Sequence, residues 1–154
     1  MSGVVVDELR RRLVTQSVGA SGHSTTTTNI YVDSLPEVPR VSIVLALGQG
    51  QEGISHYGDD VPDIERHRVE MLVRSTAPAS GGQVPHSSAS KSAAFAAYRA
   101  LTSVANTTLQ ASTSAASNRY LTVTAPNGPP YLMDRDPQGR LYWRCVFDVE
   151  RIST

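Results

Sequence analysis

The sequence predicts an α+β domain in which two helices cover one face of a mostly antiparallel sheet. Two segments, one near the N-terminus and one over residues 88–105, repeat apolar residues with the period of a helix. Three others, at residues 41–47, 68–74 and 141–149, carry the apolar patterns of strands. A chain of 154 residues is long enough to bury one hydrophobic core, so we expect a single domain over residues 1–154.

The N-terminal helix is predicted from an apolar stripe that repeats every three to four residues. The stripe consists of Val5, Val6, Leu9 and Leu13. Asp7 and Glu8 lie near the expected start of the helix and Arg10–Arg12 near its end, which would complement the helix dipole. We therefore interpret the three arginines as a solvated helix end rather than as a phosphate contact.

Two strands are predicted to follow. Asn29–Val32 leads into Pro36 and Pro39, which restrict this segment to a sheet edge or an irregular arm. Val41–Leu47 is an almost continuous apolar run, so it suits a central strand that is covered on both faces.

A third strand is predicted at Arg68–Arg74, where apolar and charged residues alternate. Val69, Met71 and Val73 should face inward, because successive side chains of a strand point to opposite faces.

The second helix is predicted over residues 88–105, because serines that favour helix N-caps precede a segment with one apolar face. That face consists of Ala94, Ala97, Tyr98, Leu101, Val104 and Ala105. Its alanines would let the helix pack closely on a sheet.

A long antiparallel hairpin is predicted to close the chain. Asp136–Gly139 has the residues of a type I turn, because Pro137 presets φ at the second position and a glycine ends the turn. The strand after it has an inward face of Leu141, Trp143, Cys145, Phe147 and Val149, and an outward face of Tyr142, Arg144, Asp148 and Glu150, with Val146 as an apolar exception. The predicted core residues are Trp143, Phe147, Leu141, Val149, Val69, Met71 and Leu101.

Segments rich in Gly, Ser, Thr and Pro separate these elements, and we expect them to be flexible loops. They lie at about residues 16–28, 48–63, 77–88 and 111–118. Each contains too few apolar groups to offset the entropy cost of ordering.

Composition argues against several classes of protein. The 14 basic and 14 acidic residues give a formal net charge of zero, which does not indicate a strongly basic nucleic-acid binder. The single cysteine, Cys145, is interpreted as a small buried hydrophobe in a reducing compartment. No apolar run suggests a secretory signal or a transmembrane span, so we expect a soluble protein of cytosolic origin.

No pattern in the chain indicates catalysis, a cofactor or a metal. Gly48–Gly53 matches GxGxxG, but the residues after it would break the helix that a dinucleotide site requires. His56 with Asp59 and Asp60 could form a weak metal site, although a solvated loop explains them more simply. We therefore expect no enzyme and no catalytic, cofactor-binding or metal-ligating residues.

Candidate interface residues fall in two places. Tyr142 and Arg144 decorate the outward face of the last strand and either face solvent or pack against a neighbouring subunit. A second group lies in the loop over residues 48–63 and comprises His56, Tyr57, Asp59 and Asp60.

Several segments together resemble the minor capsid or tail-terminator family of long-tailed bacteriophages. The resemblance rests on Asn29–Pro36, Val41–Leu47, Val69–Arg74 and the ending Asp136–Val149, and it covers most of the chain. The threonine run Thr25–Thr28 and the Ser-rich stretches on either side of the second helix depart from the family pattern.

The resemblance implies a structural virion protein that caps the tail tube as a ring, most simply a hexamer. Such a ring stops polymerisation of the tail-tube protein and joins the tail to a head-closure or other neck protein. DNA would pass through the lumen with transient, non-specific contacts, and no membrane would be involved. The expected location is the tail–neck junction of a virion that is assembled in the host cytoplasm.

Two other classes remain open from the sequence. One is a different neck component, such as a head-closure or head–tail adaptor protein. The other is a small cytosolic ligand-binding α+β domain, which would need a pocket with convergent polar groups.

Overall fold

The structure is a computed structural model that describes residues 2–21, 28–37, 40–48, 53–55, 64–78, 88–110 and 117–152. These residues form two helices and nine strands. In chain order they are α1 (Ser2–Thr15), β1 (Ala20–Ser21), β2 (Asn29–Val32), β3 (Ser42–Leu47), β4 (Gly53–Ser55), β5 (Ile64–Arg74), α2 (Ala89–Thr102), β6 (Ala105–Gln110), β7 (Ser117–Thr124), β8 (Tyr131–Leu132) and β9 (Tyr142–Ile152).

All nine strands belong to one sheet. Its main order is β1-β2-β3-β5-β9-β7-β6, with β4 beside β5 and β8 beside β9. The β1–β2 and β2–β3 pairs are parallel, and the other six pairs are antiparallel. The predicted α+β class with a mostly antiparallel sheet is therefore confirmed.

Both helices pack against the same face of the sheet. From α2, Phe95 meets Trp143 with ring centroids 6.4 Å apart, and Tyr98 meets Phe147 at 6.5 Å. From α1, the Glu8 side chain reaches Arg151, which lies on the same face of β9 as those two aromatic residues. One apolar core therefore lies between the helix layer and the sheet.

The seven side chains predicted for the core all lie in the interior of the structure. Trp143 is 6% exposed, and the other six are 0% exposed. The apolar stripe of α1 is equally buried. Leu141 lies just before β9, where the Leu141 backbone N–H donates to the Ser75 hydroxyl at 2.9 Å.

The charge pattern of α1 differs from the prediction. The helix begins at Ser2, so Asp7 and Glu8 lie beyond its first turn and do not complement the dipole there. Glu8 is fully buried. Only Arg12 of the three arginines lies in the last turn, in agreement with the dipole argument.

The region after α2 corrects the predicted helix boundary. The helix ends at Thr102, and Ala105, which was assigned to its apolar face, is exposed and begins β6. β6 was not predicted from the sequence. Its two consecutive threonines favour a strand, because β-branched side chains lose rotamer freedom in a helix.

The terminal hairpin is shorter than predicted. Its turn forms as expected, with the Gly139 N–H donating to the Asp136 carbonyl at 2.9 Å. Gly139 has φ 79°, which favours glycine at this position. However, β8 has only two residues, and β9 pairs mainly with β5 and β7. The long strand that pairs with β9 along its whole length is therefore β5, which is distant from it in sequence.

Parts of the predicted loops are ordered strands. β1 lies within residues 16–28, β4 lies within residues 48–63, and β7 begins at Ser117, inside the last predicted loop. The remainder of these loops lies mostly outside the described residues, as do His56, Tyr57, Asp59 and Asp60.

Candidate assembly surface

The face of β5 and β9 that points away from the helices carries a ladder of charged side chains, and we call it the open face. Strand alternation places the even-numbered residues of both strands on it. The register sets Arg66 opposite Glu150, Arg68 opposite Asp148 and Leu72 opposite Arg144. Opposite charges therefore face each other directly at the first two of these positions, whereas Arg144 contacts Glu70 diagonally, because Glu70 lies opposite Val146.

Three ion pairs form on this face. The Arg66 Nε lies 2.8 Å from a Glu150 carboxylate oxygen, and Arg144 lies 3.0 Å from Glu70. Arg68 donates to both oxygens of Asp148, at 2.9 and 3.2 Å.

The hydrogen bonds to Asp148 raise the pKa of Arg68, and the charge of Glu70 raises the pKa of Arg144. All six side chains are between about a third and a half exposed. Each pair therefore contributes on the order of 0–1 kcal/mol to stability.

Two exposed apolar side chains border the open face. Tyr131 is 44% exposed and Met133 is 40% exposed, and they are the large exposed hydrophobic residues of the described part of the chain. Tyr131 pairs with Arg144 in the register of β8 and β9, and the Met133 N–H donates to the Tyr142 carbonyl at 2.7 Å. Both therefore lie beside the two candidate interface residues of β9.

Tyr142 and Arg144 are thus brought together with Tyr131 and Met133 on one surface. Tyrosine, methionine and arginine are the residue types that protein interfaces favour. Tyr131 and Met133 were not predicted as interface residues, because the pairing of β8 with β9 is known only from the structure.

A buried polar cluster lies on the opposite face, beneath α1. Arg151 is 5% exposed and lies 2.7 Å from Glu65 and 3.6 Å from Glu8. Glu8 also accepts a hydrogen bond from Asn118, and His67 lies 3.1 Å from Glu65. This cluster joins α1 to β5, β7 and β9.

Sequence reasoning missed this cluster, although the sequence contained a signal for it. The inward alternation of β9 runs through Phe147 and Val149 and, if continued, reaches Arg151. The inward alternation of β5, continued backwards from Val69, reaches His67 and Glu65. A charged residue on a buried face requires a partner, so these positions indicated an internal ion pair.

The described residues include one cysteine thiol, and their His, Asp and Glu side chains are the other potential ligands for a metal ion. Cys145 is buried, and this burial raises the pKa of its thiol to about 11, which keeps it protonated near neutral pH. Among the described residues, no three His, Cys, Asp or Glu side chains are grouped so that they could hold a metal ion. Neither described helix is both long and apolar enough to cross a membrane.

Comparisons with known proteins give structural likenesses but no match to a protein family. No protein-family model matches the chain, and no curated protein matches it. A solved structure described as "Virion of native gene transfer agent (GTA) particle" is similar over 80% of this chain and 78% of that chain, with 17% sequence identity and a TM-score of 0.45. A likeness of this size does not assign a role to the chain.

Proposed function

We propose that the protein is a structural virion component of a phage-like particle, and specifically a tail terminator. In this role it caps the tail tube as a ring, stops tube polymerisation and joins the tail to the neck. The role is structural and not catalytic. The partners are other copies of the chain, the tail-tube protein and a head-closure or neck protein, and DNA passes through the lumen without specific contacts.

The observation that carries this proposal is the difference between the two faces of the sheet in the part of the chain that the structure describes. Both helices cover one face, while the other face carries three balanced ion pairs and is bordered by the exposed side chains of Tyr131 and Met133. A surface that mixes apolar, aromatic and paired charged groups suits a protein partner. The zero formal net charge of the chain also suits a conduit for DNA, because a strongly basic protein would bind phosphates along the lumen.

The proposal of a ring follows from the sequence resemblance. The segments Asn29–Pro36 and Asp136–Val149, which resemble the tail-terminator family, include β2 and most of β9. A cyclic ring needs two different complementary surfaces on each protomer. The open face provides one of them.

The test is to locate the protein in particles and to remove it. With a label on the protein, electron microscopy should show one focus at the head-proximal end of each tail. Deletion of the gene should give tails of uncontrolled length that are not joined to heads.

Label along the whole tube or over the shell would contradict the proposal. Tails of normal length that remain unjoined would instead indicate another neck component, since such a protein acts after the tube has stopped growing.

A further inference from the structure

Two buried arginine side chains converge at the end of the sheet where β5 finishes and β9 begins. Arg74 is the last residue of β5 and is 1% exposed, and Arg140, just before β9, is 7% exposed. A buried guanidinium is costly unless an anion pairs with it. Two such groups at one place therefore require two negative charges close by.

Asp136 supplies one of these charges. Its carboxylate accepts a hydrogen bond from the Arg140 Nε at 2.7 Å and from the Arg140 backbone N–H at 2.9 Å. Burial opposes ionisation of Asp136, but these hydrogen bonds and the charge of Arg140 lower its pKa overall. Asp136 is also fixed by the turn that it begins, so it is a permanent part of the site.

Glu37 supplies the other charge and bridges the two arginines. One carboxylate oxygen lies 2.8 Å from the Arg140 Nη1, and the other lies 3.4 Å from both the Arg140 Nη2 and the Arg74 Nη1. This is a forked contact in which one planar carboxylate meets two guanidinium groups. The hydrogen bond from Arg140 lowers the pKa of Glu37, so the carboxylate stays ionised near neutral pH.

The two sides of this contact differ in exposure. The side chains of Arg74 and Arg140 are 2% and 8% exposed, whereas that of Glu37 is 74% exposed. The arginines are held at the ends of central strands. Glu37 lies outside the helices and strands, on a segment that the Pro36 carbonyl ties to Arg74 through a 2.6 Å hydrogen bond. The two arginines are therefore held in place by the fold, whereas the Glu37 carboxylate contacts them from the solvent side.

We propose that Arg74 and Arg140 form a carboxylate-binding site whose resident ligand is the Glu37 side chain. When Glu37 is withdrawn, the site accepts a carboxylate from another molecule. Without Glu37 the two terminal guanidinium nitrogens of Arg140 lose the carboxylate that they contact. A planar group with two oxygens matches these donors. The proposal does not depend on the assembly role, because it concerns the free protein.

The test is anion rescue of Glu37→Ala, measured by thermal unfolding at neutral pH in formate or chloride of equal ionic strength. The variant should melt below the wild type, because both arginines lose a partner. Formate should raise its melting temperature by roughly 2–4 °C more than chloride does, in a saturable manner. Wild-type protein should respond equally to the two salts, because Glu37 already fills the site.

Asp134→Ala is the matched control, since Asp134 is an exposed carboxylate close to the same turn. It should behave like the wild type in both salts. If Glu37→Ala does not accumulate as folded protein, refolding from urea gives the same readout, with a higher folded yield expected in formate than in chloride.

Three results would overturn the proposal. One is an unchanged melting temperature in Glu37→Ala, and another is an equal response of that variant to formate and chloride. The third is rescue by phosphate without rescue by formate, which would exclude a carboxylate as the preferred ligand.

Discussion

Phe147 illustrates how much a single side chain contributes to this fold. It is fully buried on β9, where it faces the ring of Tyr98 from α2. Phe147→Ala should lower the free energy of unfolding by roughly 3–5 kcal/mol, because it removes buried apolar surface and leaves a cavity between helix and sheet. Phe147→Leu keeps most of the volume and should cost less than about 1.5 kcal/mol.

Urea denaturation monitored by circular dichroism would measure both variants. A loss of roughly 3–5 kcal/mol is a large share of the total stability of a typical domain, so Phe147→Ala should also yield less soluble protein. A midpoint equal to that of the wild type would place Phe147 outside the core.

At the scale of elements, α1 is held to the sheet by charge as well as by apolar contacts. Arg151 of β9 pairs with Glu65 and Glu8, and all three side chains are largely buried. Arg151→Met should lower the free energy of unfolding by roughly 3–5 kcal/mol, because it removes the buried guanidinium that Glu8 and Glu65 share. The hydrogen bond from Asn118 to Glu8 would remain but cannot neutralise the charge.

Arg119→Met is the matched control for this prediction. Arg119 is an exposed arginine of β7 whose side chain donates to Asn106, so its loss should cost less than about 1 kcal/mol. Chemical denaturation of both variants provides the comparison. Equal, small losses for the two substitutions would mean that the buried pair does not anchor the helix.

The elements that the sequence predicted are those encoded by local pattern. Three features could be predicted from a few neighbouring residues each, because side-chain period and turn chemistry are local properties. They are the apolar stripe of α1, the alternation of β9 and the Asp136–Gly139 turn. Their inward residues, such as Trp143, followed directly. The class of the fold followed as well, since it requires only the order and type of the elements.

The features that the sequence did not reveal depend on pairing between distant segments. The parallel β2–β3 pair, the short β8 and the edge strand β6 are defined by their partners and not by their own patterns. The same holds for the site built from Glu37, Arg74 and Arg140, whose members are separated by 37 or more positions along the chain. Proximity of this kind appears only once the sheet register is known.

At the scale of the whole molecule, the two faces of the sheet differ in their chemistry. The helix-covered face holds the apolar core that stabilises the protomer. The open face carries ion pairs that add little to stability, and Tyr131 and Met133 lie exposed beside them. Such a division is expected of a subunit that folds alone and then binds a neighbour through a surface prepared in advance.

The proposed ring can therefore be tested through these two exposed residues. The double substitution Tyr131→Ser and Met133→Ser should weaken self-association, because interface energy is concentrated in a few aromatic and flexible apolar anchors. It should hardly change the melting temperature, since both side chains are already 40% exposed or more.

Ala105→Ser, an exposed apolar-to-serine change on the edge strand β6, is the control. Native mass spectrometry over a range of protein concentrations should show rings, most simply hexamers, for the wild type and the control, and mainly monomers for the double variant. Rings that form equally well from all three proteins would show that the open face is not part of the interface.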